Sequence, residues 1–69
     1  MQYKLAKLAG YRLKLLRLER HLTQNELAEC LNCEERTIRR YETEGINSLE
    51  TLEYISLVLG VDLVATFLS

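Results

Sequence analysis

Apolar residues recur at spacings of three and four through most of the chain, and that pattern predicts four helices before the period changes near the C-terminus. Over 4–20 there are two apolar stripes. One is Ala6, Ala9, Leu13 and Leu16; the other is Leu8, Tyr11, Leu15 and Leu18, continued by Leu22. A helix apolar over more than half its circumference must be covered on two sides, and the rest of this short chain covers one. A second helix is predicted over 24–31. Thr23-Gln24-Asn25-Glu26 has the form of a capping box, with Leu22 and Leu27 at the positions of a hydrophobic staple. Its inner face is Leu27, Ala28 and Leu31. Asn32 breaks the pattern and suits the left-handed residue that ends a helix. A third helix follows over 34–43, with Ile38 and Tyr41 inward and Gly45 as its end. Ser48 caps a fourth over 49–59, with the stripe Leu49, Leu52, Ile55, Leu59 and Gly60 at the C′ position. Gly10, Asn32, Gly45 and Gly60 read as the punctuation, and the absence of proline leaves every helix free of a forced break.

From Val61 the period becomes two: Val61, Leu63, Ala65 and Phe67 alternate with Asp62, Val64, Thr66 and Leu68. Alternation and β-branching predict a strand over 61–68. A lone strand cannot satisfy its own backbone groups, so its expected partner is the same strand of a second subunit. The alternative is a short fifth helix over 62–68.

Size and charge sharpen this picture. The 69 residues form one expected domain, 1–69, and a chain of this length hides only ~60% of the surface it exposes when unfolded. Such chains are often completed by a partner subunit. The hydrophobic fraction of 48% and charged fraction of 28% are those of an ordinary globular domain. No apolar run approaches the roughly 18 residues of a membrane span, and Met1 to Leu8 lacks the apolar core of a signal peptide, so a cytoplasmic protein is expected. Net charge is −1, but it is unevenly spread. Residues 1–20 carry six bases and one acid, whereas 45–69 carry three acids and no base. One basic face is therefore compatible with nucleic acid, and the acidic remainder should weaken non-specific binding.

Cys30 and Cys33 stand in a C-x-x-C spacing, and His21 lies nearby. A zinc site needs three or four such ligands, and the chain offers no further cysteine or histidine, so no metal is expected. No βαβ pattern surrounds the pair, and two reduced, packed thiols are the expectation. No nucleophile–base pair stands out, so an enzyme is not expected and no cofactor is implied. His21 falls at the end of the first helix, where a proton suits the helix dipole.

The two short helices around Asn32-Cys33 have the length and turn of a helix-turn-helix unit. Around them the residues Gly10-x-x-Leu13-x-x-Leu16-Arg17-x4-Leu22-Thr23-Gln24-x-x-Leu27-Ala28 form a longer pattern. It continues through Leu31-Asn32-Cys33, Thr37-Ile38-x-x-Tyr41-Glu42, Gly45, Ser48-Leu49-Glu50-x-Leu52 and Leu59-Gly60-Val61. The whole resembles the Xre or Cro-like phage-repressor family over residues 10–61. The resemblance implies an all-α, lambda-repressor-like bundle of four main helices whose third helix enters the DNA major groove. It places base contacts at Glu35, Arg36, Arg39 and Arg40, with Thr37 on the same helix, and a backbone contact at Gln24 beside Thr23 and Asn25. It also matches Arg17 and Glu42 to a partly buried structural ion pair.

With Ile38 and Tyr41 inward, helical spacing by itself turns Glu35, Arg36, Arg39 and Arg40 outward as one cluster. Arginine to guanine is the commonest specific base contact, and a glutamate can accept from cytosine. Three features depart from the family. Glu34 stands where a serine or threonine usually caps the recognition helix. Thr43 and Glu44 separate Glu42 from Gly45, where one residue is common. The loop Glu44 to Ser48 has no base, which shifts the expected phosphate contacts toward Lys14 and Arg12.

A single unit reads only ~4–6 base pairs, so the implied partner is a palindromic duplex DNA operator bound by a homodimer. Two dimer surfaces are expected: the stripe Leu8, Tyr11, Leu15, Leu18 and the tail residues Leu63, Val64, Ala65 and Phe67. Three roles stay open: a repressor of bacterial or phage origin, an antitoxin that also binds a toxin, and a protein-interaction module that has lost DNA.

Overall fold

The computed structural model describes residues 3–65, and of Tyr3 only the backbone. Four helices are present: α1 (Tyr3–Glu19), α2 (Gln24–Cys30), α3 (Glu35–Glu44) and α4 (Leu49–Leu59). Among the described residues no strand forms, and the family expectation of an all-α bundle holds there.

The turns between helices come from local hydrogen bonding. Thr23 Oγ1 accepts from the Glu26 amide at 3.0 Å, and the Glu26 carboxylate accepts from the Thr23 amide at 2.8 Å, which completes the capping box. Asn32, at φ 55°, ends α2 in the left-handed conformation. The Cys33 and Asn32 amides then bond back to Ala28 and Glu29, as in a Schellman motif. His21, at φ 58°, does the same for α1, with Leu22 bonding to Arg17 and His21 to Leu18. The turn after α1 is thus made by a histidine at a position glycine usually takes, which sequence pattern did not signal. Gly60, at φ 70°, closes α4.

The structure sorts the two stripes of α1. Ala6, Ala9 and Leu13 are buried, and Leu16 packs at the core's edge. Leu8, Tyr11, Leu15 and Leu18 remain 44–54% exposed. The core gathers Leu13, Leu27, Ile38, Leu52 and Ile55 from all four helices, together with Ile46, which no periodic pattern marked. Leu49, expected on the inner stripe of α4, is exposed because it sits on the first turn, beyond the edge of that core.

Gly10 does not interrupt α1, as punctuation would; it lies inside the helix. Its missing side chain lets α3 approach. A Cβ there would overlap the Tyr41 carbonyl oxygen and lie 3.1 Å from Gly45 Cα. Gly45, at φ 104°, turns the chain beside Ala6, and the Ile46 amide donates to the Ala6 carbonyl at 2.9 Å.

The expected strand over 61–68 does not form where the chain is described. Residues 61–64 are irregular, and Ala65 is helical. Leu63 is 4% exposed, its side chain part of the chain's own core, and its amide donates to Ser56 Oγ at 2.9 Å. Val64 packs against the same core, and the Ala65 amide donates to Asp62 Oδ1, the bond of a helix N-cap. Leu63 and Val64 thus pack on the chain's own core, a long-range contact that the local alternation does not foretell. Phe67 and the rest of the expected strand, 66–68, lie outside the described residues.

Gly10→Ala should therefore lower stability at least as much as ordinary overpacking of a core, about 1–3 kcal/mol, because the clash is with backbone. Urea or thermal unfolding followed by circular dichroism measures it, and an unchanged midpoint would contradict the close α1–α3 contact.

Candidate nucleic-acid interface

α3 is strongly two-sided. Ile38 is fully buried and Tyr41 half-buried, while Arg36, Arg39 and Arg40 face solvent. Its orientation is held by one network. Arg17 Nε donates to Glu42 Oε2 at 2.7 Å, and a second guanidinium nitrogen reaches Oε1 at 3.2 Å. The remaining nitrogen donates to the Leu22 carbonyl at 2.8 Å. Gln24 Nε2 donates to Glu42 Oε1 at 3.1 Å. The two charged side chains are only 10% and 6% exposed. A bidentate, charge-assisted pair of this kind fixes direction as well as distance. It joins α1, the turn after it, the first residue of α2 and the last turns of α3.

The arginines differ in how they are held. Arg36 lies 3.3 Å from Glu34, in a pair with both side chains more than 70% exposed. Arg39 lies 2.9 Å from Glu35, one turn away, at 59% and 43% exposure. Arg40 sits over the Tyr41 ring, 5.8 Å from its centroid. Solvent-exposed pairs contribute ~0–1 kcal/mol, so a base edge or phosphate can displace such an acid at small cost. Thr37 is half-buried beside them. Glu34 occupies the N-cap of α3 in extended backbone but makes no side-chain cap bond.

At the start of α2, Thr23 and Asn25 are exposed and Gln24 is half-buried against Glu42. Thr23 Oγ1 is an acceptor in the capping box, so that bond does not consume its hydroxyl proton. Asn25 Nδ2 donates to Glu29 at 3.4 Å. Beyond α3, a groove is lined by Lys7, Arg40, Tyr41, Glu44, Asn47 and Ser48 among others. The loop that lacks bases is thus flanked by Lys7 from α1 and Arg40 from α3. Lys14 lies two turns from Lys7 on the same side of α1. Arg12 does not share that side. It lines another groove with Leu8, Tyr11, Leu15 and residues 61–63. Sequence reasoning missed Lys7, and the signal lay in its seven-residue spacing from Lys14.

Cys30 and Cys33 are free thiols, exposed and half-buried respectively. Burial, with Glu34 adding its charge, raises the Cys33 thiol above its ordinary value and disfavours the reactive thiolate. Among the described residues no group of three or more histidine, cysteine or acidic side chains is placed to hold a metal ion. No helix there is long and apolar enough to cross a membrane.

Two short helices at a tight turn, the second offering arginines from a firmly held frame, define a helix-turn-helix protein of the DNA-binding class. The helix-turn-helix family model matches residues 13–65, and the chain belongs to this family, among its Xre-like members. The membership identifies it in general terms as a DNA-binding transcription regulator. No characterised protein and no solved structure matches the chain.

Arg17→Ala or Glu42→Ala leaves one buried charge unpaired and should cost ~3–5 kcal/mol, measured by chemical unfolding. Glu34→Ser supplies the missing cap and should raise stability by about 1 kcal/mol in the same measurement. A fall in stability for that second variant would place the start of α3 elsewhere.

Proposed function

We propose that the chain is a single-domain repressor that binds a palindromic operator as a homodimer, with α3 in the major groove. The observation that carries this reading is the outward cluster Arg36, Arg39 and Arg40 on a helix whose other side is fixed by Ile38 and the Arg17–Glu42 pair. Arg36, Arg39 and Glu35 face base edges, while Gln24, Thr23 and Asn25 lie against the phosphate backbone. Glu34, Glu35 and Glu44 keep the affinity for random DNA low.

The dimer is proposed to form through α1. Leu8, Tyr11, Leu15 and Leu18 are an exposed apolar stripe, of which the first three line the groove beside Val61 and Leu63. Large apolar patches of this kind on a small chain mark interaction surfaces. Burial of Leu63 within its own subunit supports an α1-centred interface over a β-ribbon of paired tails.

A second reading, an antitoxin that also binds a protein, is favoured by α4. Leu57 is 83% exposed, next to Val58 and Tyr54 on the outer face. That surface is separate from the arginine cluster, so both activities are compatible in one chain.

On DNA from upstream of its own gene, retardation should fall steeply with salt, and Arg36→Ala or Arg39→Ala should weaken it selectively on the palindrome. Equal retardation by wild type and both variants removes the recognition-helix assignment. Leu15→Lys should convert a dimer to a monomer by light scattering without disturbing the core. An unchanged mass would refute the α1 interface. Truncation after Gly60 is a poorer probe, because it also removes buried Leu63.

A further inference from the structure

We infer that the arginines of α3 have divided roles: Arg39, positioned by Glu35, reads a guanine, whereas Arg40, together with Lys7, contacts a phosphate. This rests on the DNA-binding reading above and assigns its parts. Glu35 is the first residue of α3, at the end that enters the groove in this motif. Its carboxylate holds Arg39 Nη2 at 2.9 Å across one helical turn. Each terminal guanidinium nitrogen carries two N–H groups, so this bond leaves donors for a fork onto guanine O6 and N7. The pair is exposed and weak, so it biases the guanidinium toward one rotamer without locking it, which trims the freedom lost on binding. The same carboxylate can accept from cytosine N4 and repels the acceptor edge of a wrong base, which adds discrimination.

Arg40 lies one position further round the helix, stacked on Tyr41 rather than held by a carboxylate. It opens onto the groove that also receives Lys7, Asn47 and Ser48, with Glu44 as the one acid there. Two cations of separate helices at a groove beside the α3–α4 loop suit a phosphate, a contact without sequence information. Arg36, in its longer and more exposed pair with Glu34, keeps its place toward the base edges without a positioning acid as close as that of Arg39.

The test is selection of bound duplexes from a randomised pool by the full chain, followed by salt titration of the selected duplex by fluorescence anisotropy. Wild type should enrich a motif with a fixed guanine. Arg39→Ala should reduce the preference at that guanine by about tenfold or more and leave the salt slope nearly unchanged. Arg40→Ala should keep the motif and lower the slope by about one. Glu35→Ala should erode the guanine preference several-fold at an unchanged melting temperature, and Glu35→Gln should restore part of it. Loss of the guanine with Arg40→Ala but not Arg39→Ala overturns the division of roles while leaving the regulator reading intact. Failure of wild type to enrich any motif overturns the regulator reading, and this inference with it.

Discussion

The ion pair between Arg17 and Glu42 is the contact on which the rest of the molecule depends. Two charges with almost no access to water are tolerable only because each guanidinium nitrogen and each carboxylate oxygen has a hydrogen-bond partner. The Leu22 carbonyl takes the spare guanidinium nitrogen, and Gln24 adds to the carboxylate. These bonds set the angle of α3 against α1 and α2, and they do so by direction, which apolar packing cannot supply alone. The glycine contact at the other end of the same interface, Gly10 against the Tyr41 carbonyl, sets the distance. Direction and distance together hold the arginines in one place, as pre-organised recognition requires. Gln24 extends the network to the edge of the interface, so a backbone contact there is mechanically coupled to the orientation of the recognition helix.

The electrostatics of α3 are unusual for a surface that meets a polyanion. From Glu34 to Glu44 there are four acids and three bases. Glu42 is committed to Arg17, but Glu34 and Glu35 each pair with an arginine of the exposed cluster. Their effect is to reduce long-range attraction while leaving short-range donors in place. Exposed pairs of this kind exchange easily, so under the proposed function recognition would lose little, whereas attachment to random sequence, which depends on charge, would lose more. Of the bases of α1, Arg17 is committed to Glu42, and Lys7 reaches the edge of the α3–α4 loop, where Glu44 also lies.

The apolar surplus has its own logic. A chain of this length has too little mass to cover both stripes of α1, so the stripe through Leu13 is spent on the core and the stripe through Leu15 is left at the surface. The tail adds Leu63 to the inner cluster and leaves Val61 along the groove next to that stripe. One stripe of α1 thus completes the core, and the other is the surface on which the proposed dimer rests.

Much of this was legible from sequence because it is local. The capping box at Thr23, the left-handed Asn32, the Gly60 cap and the inward pair Ile38 and Tyr41 all follow from bonds or spacings within a few residues. The outward arginines follow in turn, as does the weak cap at Glu34. Other features were decided only by residues distant in the chain. Gly10 looks like an interruption until the Tyr41 carbonyl is placed against it, and Ile46 has no periodic neighbour to mark it as core. Arg20 donates to the Leu59 carbonyl at 2.6 Å, a tie between the ends of α1 and α4 that spacing cannot foretell. The tail shows the division most directly: its alternation reads as a strand, whereas the burial of Leu63 in the core of its own chain is a contact between residues distant in sequence, which only the tertiary structure decides.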